Sequence, residues 1–413
     1  MALYLGHKFL YDLDDVRMCP LYLWHPCDSH RKGTCGKVEV SMCGERKQSR
    51  KKKLNINITK MKNPIFLPFA LCCLCNIIAT GAFSQQDATS SVNPAGKPGN
   101  TVPVTWETFV RAETDKMFHT YVGYVGTGKF VHLRSLTPID KQDVIRMNRD
   151  TRYSIGVFDL TSPLTITLPD TKGRFMSMQV INQDEFTKSV EYDPGQYVFT
   201  QEKMGTRYIC LIIRMLVNGE NAKDNQVVTD LQNSIRAEQA DLGKFETPNW
   251  DQASQDKLRE GIKILGSTMT DTKLCFGDVD EVNPIAHLIG AATGWGGNPP
   301  YAAIYLNVTP EMNDGRTAYK LKVKDVPVDG FWSVSMYNKD GYYEKNPYDA
   351  YTISNATGVK DKDGSITIHF GGDPKQPNFL PITEGWNYTV RLYRARPEII
   401  DGSWIFPSPV QVK

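Results

Sequence analysis

Most apolar residues after position 153 fall in short runs that turn sequences separate from one another. The runs are rich in β-branched and aromatic residues, and Ser162-Pro163 and Asp193-Pro194-Gly195 are typical of the turns between them. The first group of runs predicts strands at 153–159, 164–168, 174–181, 196–200 and 207–217. Closely spaced strands with such turns are typical of an antiparallel sandwich.

A second β-rich region begins near position 301. In the segment 386–394 apolar residues alternate with polar ones, and the segments 332–336 and 366–370 repeat this alternation. Because successive side chains of a strand point to opposite faces, a period of two predicts strands with one buried face. The region after position 301 is therefore predicted to be β-rich as well.

Helical periodicity occurs before and between these two regions. Apolar residues at three- and four-residue spacing predict a helix over 106–121. This stripe consists of Trp106, Phe109, Val110, Met117 and Tyr121. Thr137 as N-cap, with Pro138 at the first helical position, predicts a second, short helix. Further helices are predicted at 225–242, 254–265 and 284–293, so two β-rich domains joined through a helical middle are expected.

The segment 61–84 has the layout of a secretory signal peptide. Lys62 supplies a positive charge, residues 65–79 form a mostly apolar stretch, and Ala82-Phe83-Ser84 resembles a cleavage site. We therefore expect a periplasmic or secreted protein with no membrane span in its mature chain. An uncleaved signal anchor is the alternative. The polar segment 85–103 predicts a flexible lead-in to the first domain.

Residues 1–60 precede this signal-like segment and have no sustained hydrophobic period. We interpret them as an over-extended reading frame or a disordered N-terminus. Their four cysteines are spaced eight residues apart, a pattern that matches no zinc module. The expected mature chain keeps only Cys210 and Cys275, which could form one disulfide or be two buried thiols.

Composition and charge narrow the class of protein. With 40% hydrophobic and 23% charged residues, the 413-residue chain is not a collagen, a coiled coil or a multi-span membrane protein. The net charge is +2, but residues 1–60 hold 12 Lys and Arg against 6 Asp and Glu, so the later part is mildly acidic. An acidic body argues against nucleic acid as a partner, while exposed sheet edges are compatible with a homo-oligomer.

One segment partly matches a phosphate-binding loop. Residues 123–129 fit its first seven positions, but Phe130 stands where Ser or Thr should bind magnesium, and a helix precedes the segment instead of a strand. We interpret it as a glycine-rich connector. The expected mature chain, from residue 85 onward, has no Gly-x-Ser-x-Gly elbow, His-Glu-x-x-His helix or Cys-x-x-Cys pair, so no cofactor and no metal site are predicted.

Polar and aromatic residues in or beside the predicted strands are candidates for binding a ligand. They are Asn148, Arg149, Asp150, Asp184, Arg214, Trp332, Tyr337 and Arg391. The charged members could form a ligand site, or they could close a buried network that organises the fold. Both interpretations stay open, and no residue is assigned a catalytic role.

Two sets of short motifs carry a family resemblance. One set comprises GFWSVSMY at 330–337, NP at 346–347, DGS at 363–365, NFLP at 378–381 and RLY at 391–393. The other comprises NRDTRYS at 148–154, GRF at 173–175, Asp184 and Arg214. The first set resembles the domain of unknown function 1214 (DUF1214), and the second is similar to its usual partner, DUF1254. Two positions depart from the DUF1214 pattern. Phe379 stands where that family usually has Trp, and Ala350 stands where it often has Arg.

The resemblance implies a bacterial, often exported protein in which an immunoglobulin-like sandwich precedes a jelly-roll-like sandwich. Family members have no agreed activity, so the resemblance informs the fold more than the function. The expected fold class is mainly β with a helical insert. The expected domains are a DUF1254-like domain at 104–242, a helical connector at 243–300 and a DUF1214-like sandwich at 301–413.

Two classes of function fit these observations. The first is an exported, non-catalytic protein that binds a small molecule, sugar or lipid, or that acts as an assembly module. The alternative is a hydrolase-type enzyme with an Asp/Arg/Asn site in the interdomain cleft. In that enzyme Asp150 or Asp184 would be the base, and Arg149 or Arg214 would hold an anionic group.

Overall fold

The structure, a computed structural model, describes residues 100–142, 145–269 and 271–412. Within these residues the chain forms sixteen strands and six helices. The predicted mainly β fold with a helical insert is confirmed. Residues 1–60, residues 61–84 and nearly all of the lead-in lie outside the described residues, so the expectations for them stay predictions. Among the helices that are described, none has the length and apolar character needed to cross a membrane.

The first sandwich contains eight strands. They are β1 (Phe130–His132), β2 (Thr151–Asp159), β3 (Leu164–Leu168), β4 (Met176–Asn182), β5 (Thr187–Glu191), β6 (Gly195–Phe199), β7 (Tyr208–Leu216) and β8 (Arg236–Gln239). One sheet has the order β1-β2-β7-β4-β5, and the other has the order β6-β3-β8. All of their pairings are antiparallel. This agrees with the antiparallel sandwich that the turn spacing predicts.

Strand β7 is covered on both faces, which explains why its sequence is almost continuously apolar. On one face, Ile209, Leu211 and Ile213 pack into a core that also contains Leu164 and Ile166 of the three-stranded sheet. The opposite face carries a second cluster, whose members are Phe118, Ile155, Val157, Ile181, Tyr208, Cys210 and Ile212. Because side chains alternate along a strand, a central strand between two layers needs apolar residues at nearly every position.

The second sandwich contains the other eight strands. They are β9 (Ala303–Val308), β10 (Tyr319–Val323), β11 (Trp332–Tyr337), β12 (Thr352–Ser354), β13 (Ile366–Phe370), β14 (Phe379–Leu380), β15 (Asn387–Tyr393) and β16 (Val410–Gln411). Its two four-stranded sheets have the orders β12-β11-β15-β9 and β14-β13-β10-β16. Phe370, from one sheet, lies 5.1 Å from Tyr388 of the other and 4.9 Å from Trp386, measured between ring centroids.

Three of the six described helices have clear sequence signals at their starts. The six are α1 (Phe109–Val125), α2 (Gln201–Met204), α3 (Ala222–Ser234), α4 (Gln252–Gly266), α5 (Pro284–Gly294) and α6 (Pro397–Ile400). Asn221, Asp251 and Asn283 cap α3, α4 and α5, because their side chains accept hydrogen bonds from backbone N–H groups of the first turn. Apolar residues of α1, α4 and α5 share one core cluster, so these three helices pack as a layer of their own.

The structure corrects three of the helix predictions. Helix α1 begins at Phe109, and Trp106 lies outside it with 69% of its surface exposed. No helix begins at Thr137, because the chain is irregular in the described residues 133–142. The helix predicted over 225–242 ends at Ser234, because residues 236–239 pair with β3 and complete the three-stranded sheet. Tertiary pairing overrides the polar, helix-compatible sequence there.

Two other sequence questions are settled by the structure. Cys210 and Cys275 are both buried and unbonded, so they are two thiols and not a disulfide. Residues 123–125 are the last residues of α1, and residues 126–129 join it to β1, where Gly126 and Gly128 have φ of 83° and 76°. The segment is a helix-to-strand connector that needs left-handed glycines, as the sequence interpretation proposed.

Candidate functional site

A cavity of about 420 Å³ lies where the first sandwich meets the second. We call it the junction cleft. The first half of the chain contributes Ser135, Leu136, Arg149, Asp150, Arg152, Val217, Asn218, Gly219, Glu220 and Asn225. The second contributes Asp349, Tyr351, Thr352, Ile353, Ser354 and Thr357. Polar side chains predominate in both sets, so the cleft offers many hydrogen-bonding groups.

The start of β2 forms one wall of the junction cleft, and local hydrogen bonds fix its path. The side-chain oxygen of Asn148 accepts a 2.6 Å bond from the backbone N–H of Asp150. The amide of Asn148 also donates to the Tyr393 hydroxyl at 2.9 Å. Asn148 therefore anchors this wall to β15 and does not itself line the cleft.

Asp150 connects the two sandwiches. Its carboxylate accepts hydrogen bonds from the Ser333 hydroxyl at 2.6 Å and from the Thr352 hydroxyl at 2.9 Å, one on each oxygen. Ser333 and Thr352 belong to β11 and β12, whereas Asp150 precedes β2. Only 3% of the Asp150 surface is exposed. Both carboxylate oxygens are thus engaged in holding the sandwiches together.

Arg149 is half-buried in the wall of the junction cleft. Its guanidinium carbon lies 4.9 Å from the ring centroid of Tyr351 and 5.9 Å from that of Tyr343, a cation–π arrangement. The guanidinium donates a hydrogen bond to the backbone carbonyl of Thr137. Among the residues that the structure describes, no carboxylate forms an ion pair with Arg149.

Arg152 also lines the junction cleft, and it was not among the candidates named from sequence. One of its terminal nitrogens donates to the Asn225 carbonyl and the Thr229 hydroxyl, both at 3.0 Å. Its Nε is buried and has no partner in the described part of the chain. Burial, and secondly the nearby charge of Arg134, lower the pKa of Arg152. Its distance from Asp150 in the sequence could have identified Arg152 as a lining residue. Residues two positions apart in an extended segment share a face, and Asp150 and Arg152 both line the cleft.

Comparisons with known protein families find a matching model for each of the two sandwiches. The model for "Protein of unknown function (DUF1254)" matches residues 127–239, and that for "Protein of unknown function (DUF1214)" matches residues 301–397. The chain therefore belongs to the family that pairs these two domains. The resemblance recognised in the sequence is confirmed, and the junction cleft lies between the DUF1254 domain and the DUF1214 domain.

Two of the solved structures that resemble the chain are of proteins without a stated function. The VPA0106 protein from Vibrio parahaemolyticus superposes with a TM-score of 0.58 and 18% identity, covering 75% of this chain and 98% of its own. An uncharacterized protein from Burkholderia cenocepacia has a TM-score of 0.43 and 10% identity, with coverages of 74% and 88%. The first likeness concerns the fold alone. No curated protein matches the sequence.

Arg214 and Arg391, two other candidates from sequence, are enclosed and do not line the junction cleft. Arg214 of the DUF1254 domain donates to the side-chain oxygen of Gln179 at 2.8 Å. Arg391 of the DUF1214 domain donates to the hydroxyls of Ser335 at 2.8 Å and Tyr337 at 2.6 Å. It also donates to the backbone carbonyls of residues 146 and 147. Both arginines therefore belong to buried hydrogen-bond networks.

The three remaining candidates also lie away from the junction cleft. Trp332 packs in the core of the second sandwich with 5% of its surface exposed. Tyr337 is fully buried and donates to the Met147 carbonyl at 2.8 Å. Asp184 forms an ion pair with Arg111, and both side chains are more than a third exposed. Of the eight candidates, Arg149 and Asp150 are thus the two that line the cleft.

Glu185, which no sequence pattern singled out, is enclosed near the helical layer. One carboxyl oxygen accepts the backbone N–H of Gly296 at 2.9 Å, while the other is buried without a partner in the described residues. Burial raises the pKa of Glu185 to about 8, and the charge of Glu113 adds to the increase. No group of three or more His, Cys, Asp or Glu side chains in the described segments is arranged to hold a metal ion.

Proposed function

We propose that the protein binds a small, hydroxyl-rich molecule such as a sugar in the junction cleft. The observation that carries this proposal is a cavity of about 420 Å³ whose lining comes from both domains and is mostly polar. Binding sites for small molecules have volumes of about 300–1,000 Å³. Side-chain amides, carboxylates and hydroxyls suit a ligand with many hydroxyl groups, whereas a fatty acyl chain needs an apolar wall.

Binding without hydrolysis is the function that the side-chain contacts favour. Asp150, one of the two acids considered as a base, already accepts a hydroxyl hydrogen bond on each carboxylate oxygen. A general base must reach the proton that it removes, and these bonds occupy the oxygens that would do so. Asp184, the other acid considered, pairs with Arg111 and does not line the cleft.

A thermal-shift screen against sugars, sugar acids and fatty acids tests the proposal. We expect sugars or sugar acids to raise the melting temperature and fatty acids to leave it unchanged. Ser135 is exposed, lines the cleft and makes no side-chain hydrogen bond in the described residues, so Ser135→Trp should fill the cavity without disturbing a network. Ser135→Trp should weaken binding of any hit at least tenfold, and Ser408→Trp, on an exposed residue outside the cleft, is the matched control.

Two results would contradict this function. Equal binding of a hit to the wild type and to Ser135→Trp would move the site elsewhere. Steady turnover of a hit, lost in an Asp150→Asn variant that still folds, would replace binding with hydrolysis.

We also propose that the protein acts outside the cytoplasm, in the periplasm or after secretion. The support is the signal-like layout of residues 61–84, with a lysine, an apolar stretch and a small-x-small tripeptide. Fractionation of the host, followed by N-terminal sequencing of the exported chain, is the test. We expect the mature chain to begin near Gln85. An exported chain that retains residues 61–84 would instead favour an uncleaved anchor.

A further inference from the structure

We propose that Arg149 is an anion-binding residue of the junction cleft, so that the ligand carries a carboxylate or phosphate group. This inference rests on the proposed function, because it specifies the chemistry of a ligand in the same cleft. It adds one charged contact to the many uncharged ones that the lining provides.

The hydrogen bonds of Arg149 leave most of its donor capacity unused. A guanidinium has five N–H donors, and the Thr137 carbonyl is the one acceptor that the described residues give to this side chain. None of its nitrogens is buried without a partner, so the free donors face solvent or the cavity. Arg152 differs, since both of its terminal nitrogens already donate to residues of α3.

Two aromatic rings and one carbonyl hold Arg149 in place. Tyr351 and Tyr343, both at least 95% buried, have ring centroids 5.8 Å apart and lie near the guanidinium. A cation whose position is fixed loses little freedom when an anion binds, and its planar fork matches a carboxylate or phosphate. The site is thus organised before the ligand arrives.

The acids that line the cleft leave this cation unpaired. Asp150 is adjacent in sequence, but its two oxygens accept hydroxyl hydrogen bonds from the DUF1214 domain. Glu220 and Asp349 are exposed, and neither lies within ion-pair distance of Arg149. Their charges are screened by water and salt, whereas Arg149 is half-buried and its attraction for a bound anion is screened less.

The test uses the purified chain with sodium phosphate and sodium acetate as the probes, against sodium chloride at equal ionic strength. At ten times the dissociation constant, the anion that binds should raise the melting temperature by about 2 °C. A response to phosphate alone or to acetate alone identifies the group. Arg149→Met should remove the response, and Arg149→Lys should weaken the affinity about tenfold because a lysine keeps the charge without the fork.

The controls separate this inference from the proposed function. Arg396→Met replaces a half-exposed arginine outside the cleft and should respond as the wild type does. If neither anion stabilises the wild type more than chloride, or if Arg149→Met keeps the response, the inference is wrong. A library hit that Ser135→Trp blocks and Arg149→Met leaves unchanged would uphold the proposed function alone. Should Arg149→Met fail to fold, the wild-type anion comparison and Arg149→Lys decide the question.

Discussion

The junction cleft and the interior on either side of it use arginine in opposite ways. In the cleft, Arg149 has one hydrogen-bond acceptor from the described residues and a surface that water reaches. In the interior, Arg391 is 2% exposed and donates to two hydroxyls and two backbone carbonyls. Neither forms an ion pair within the described segments. The number of unused donors, and not the charge itself, separates a binding residue from a structural one.

Residue type alone does not tell whether an arginine binds a ligand or supports the fold. Arg149, Arg214 and Arg391 all belong to motifs of the same two families, yet only Arg149 lines the cleft. An enclosed cation must satisfy its donors within the protein, since an unsatisfied buried polar group costs about 1–3 kcal/mol. A cation at a binding site keeps donors free for its ligand.

The largest effect should follow from replacing Arg391 with an apolar residue of similar length. Arg391→Met leaves the Tyr337 and Ser335 hydroxyls and two carbonyls without their donor. We expect the free energy of unfolding to fall by about 3–5 kcal/mol, because several buried acceptors lose their donor and each unsatisfied group costs about 1–3 kcal/mol. Urea unfolding measures this change. A loss below about 1 kcal/mol would show that Arg391 is not the structural counterpart of Arg149.

Glu185 tests whether a buried carboxyl group with one unpartnered oxygen lowers the stability of the folded protein when it ionises. Its pKa is raised from 4.5 to about 8 in the folded protein, so the folded state binds a proton more tightly than the unfolded state. The stability contributed by this proton is complete below about pH 4.5 and is lost as the pH rises through 8. Relative to Glu185→Gln, the wild type should lose roughly 1 kcal/mol per pH unit in that window.

Urea unfolding at pH 5, 6.5 and 8 measures this difference between wild type and Glu185→Gln. Glu311→Gln, on an exposed residue, is the matched control and should leave the pH profile unchanged. Parallel profiles for wild type and Glu185→Gln would mean that Glu185 is ionised in the folded state throughout.

Asp150 should give a smaller effect that depends on the replacement. Asp150→Ala removes the acceptor of the Ser333 and Thr352 hydroxyls, and we expect a loss of about 1–3 kcal/mol in the free energy of unfolding. Asp150→Asn keeps one acceptor oxygen and should lose less. Unfolding curves of the two variants check this order. An equal loss in both would point to the negative charge, and not the hydrogen bonds, as the contribution that matters.

The smallest effect is expected for an ion pair on the surface. Lys322 and Asp363 form a 2.8 Å ion pair with about half of each side chain exposed. Water and salt screen surface pairs of this kind, so they contribute little to stability, and Lys322→Ala should leave the urea midpoint nearly unchanged. A loss of stability as large as that of Arg391→Met would show that burial does not determine how much these charged residues contribute to stability.

Much of the fold could be predicted because it is encoded locally. Strand β3 was predicted with the bounds that it has, since Leu164, Ile166 and Leu168 are buried and the residues between them are half-buried. Strand β8 could not be predicted in this way. Its four residues, Arg236 to Gln239, carry no apolar alternation, and only the free edge of β3 makes them a strand.

The candidate site was predictable only in part, because residues distant in sequence build it. Arg149 and Asp150 were found through their position before an apolar strand. Tyr351 and Thr352 complete the same wall from some 200 positions later, and no local pattern connects the two segments. Conversely, Arg214 and Arg391 have the same sequence character as Arg149, and only the packing around them shows that their donors are used.

The hydrogen bonds of Asp150 also affect when the protein can become native during synthesis. Its partners Ser333 and Thr352 lie 183 and 202 residues later in the chain. At about 5–20 residues per second, a ribosome needs about 10 to 40 s to reach them after Asp150 has been made. For that interval the Asp150 carboxylate lacks the two hydroxyl donors that it binds in the native protein. The hydrogen bonds that join the two domains through Asp150 can therefore form only after most of the chain has been translated.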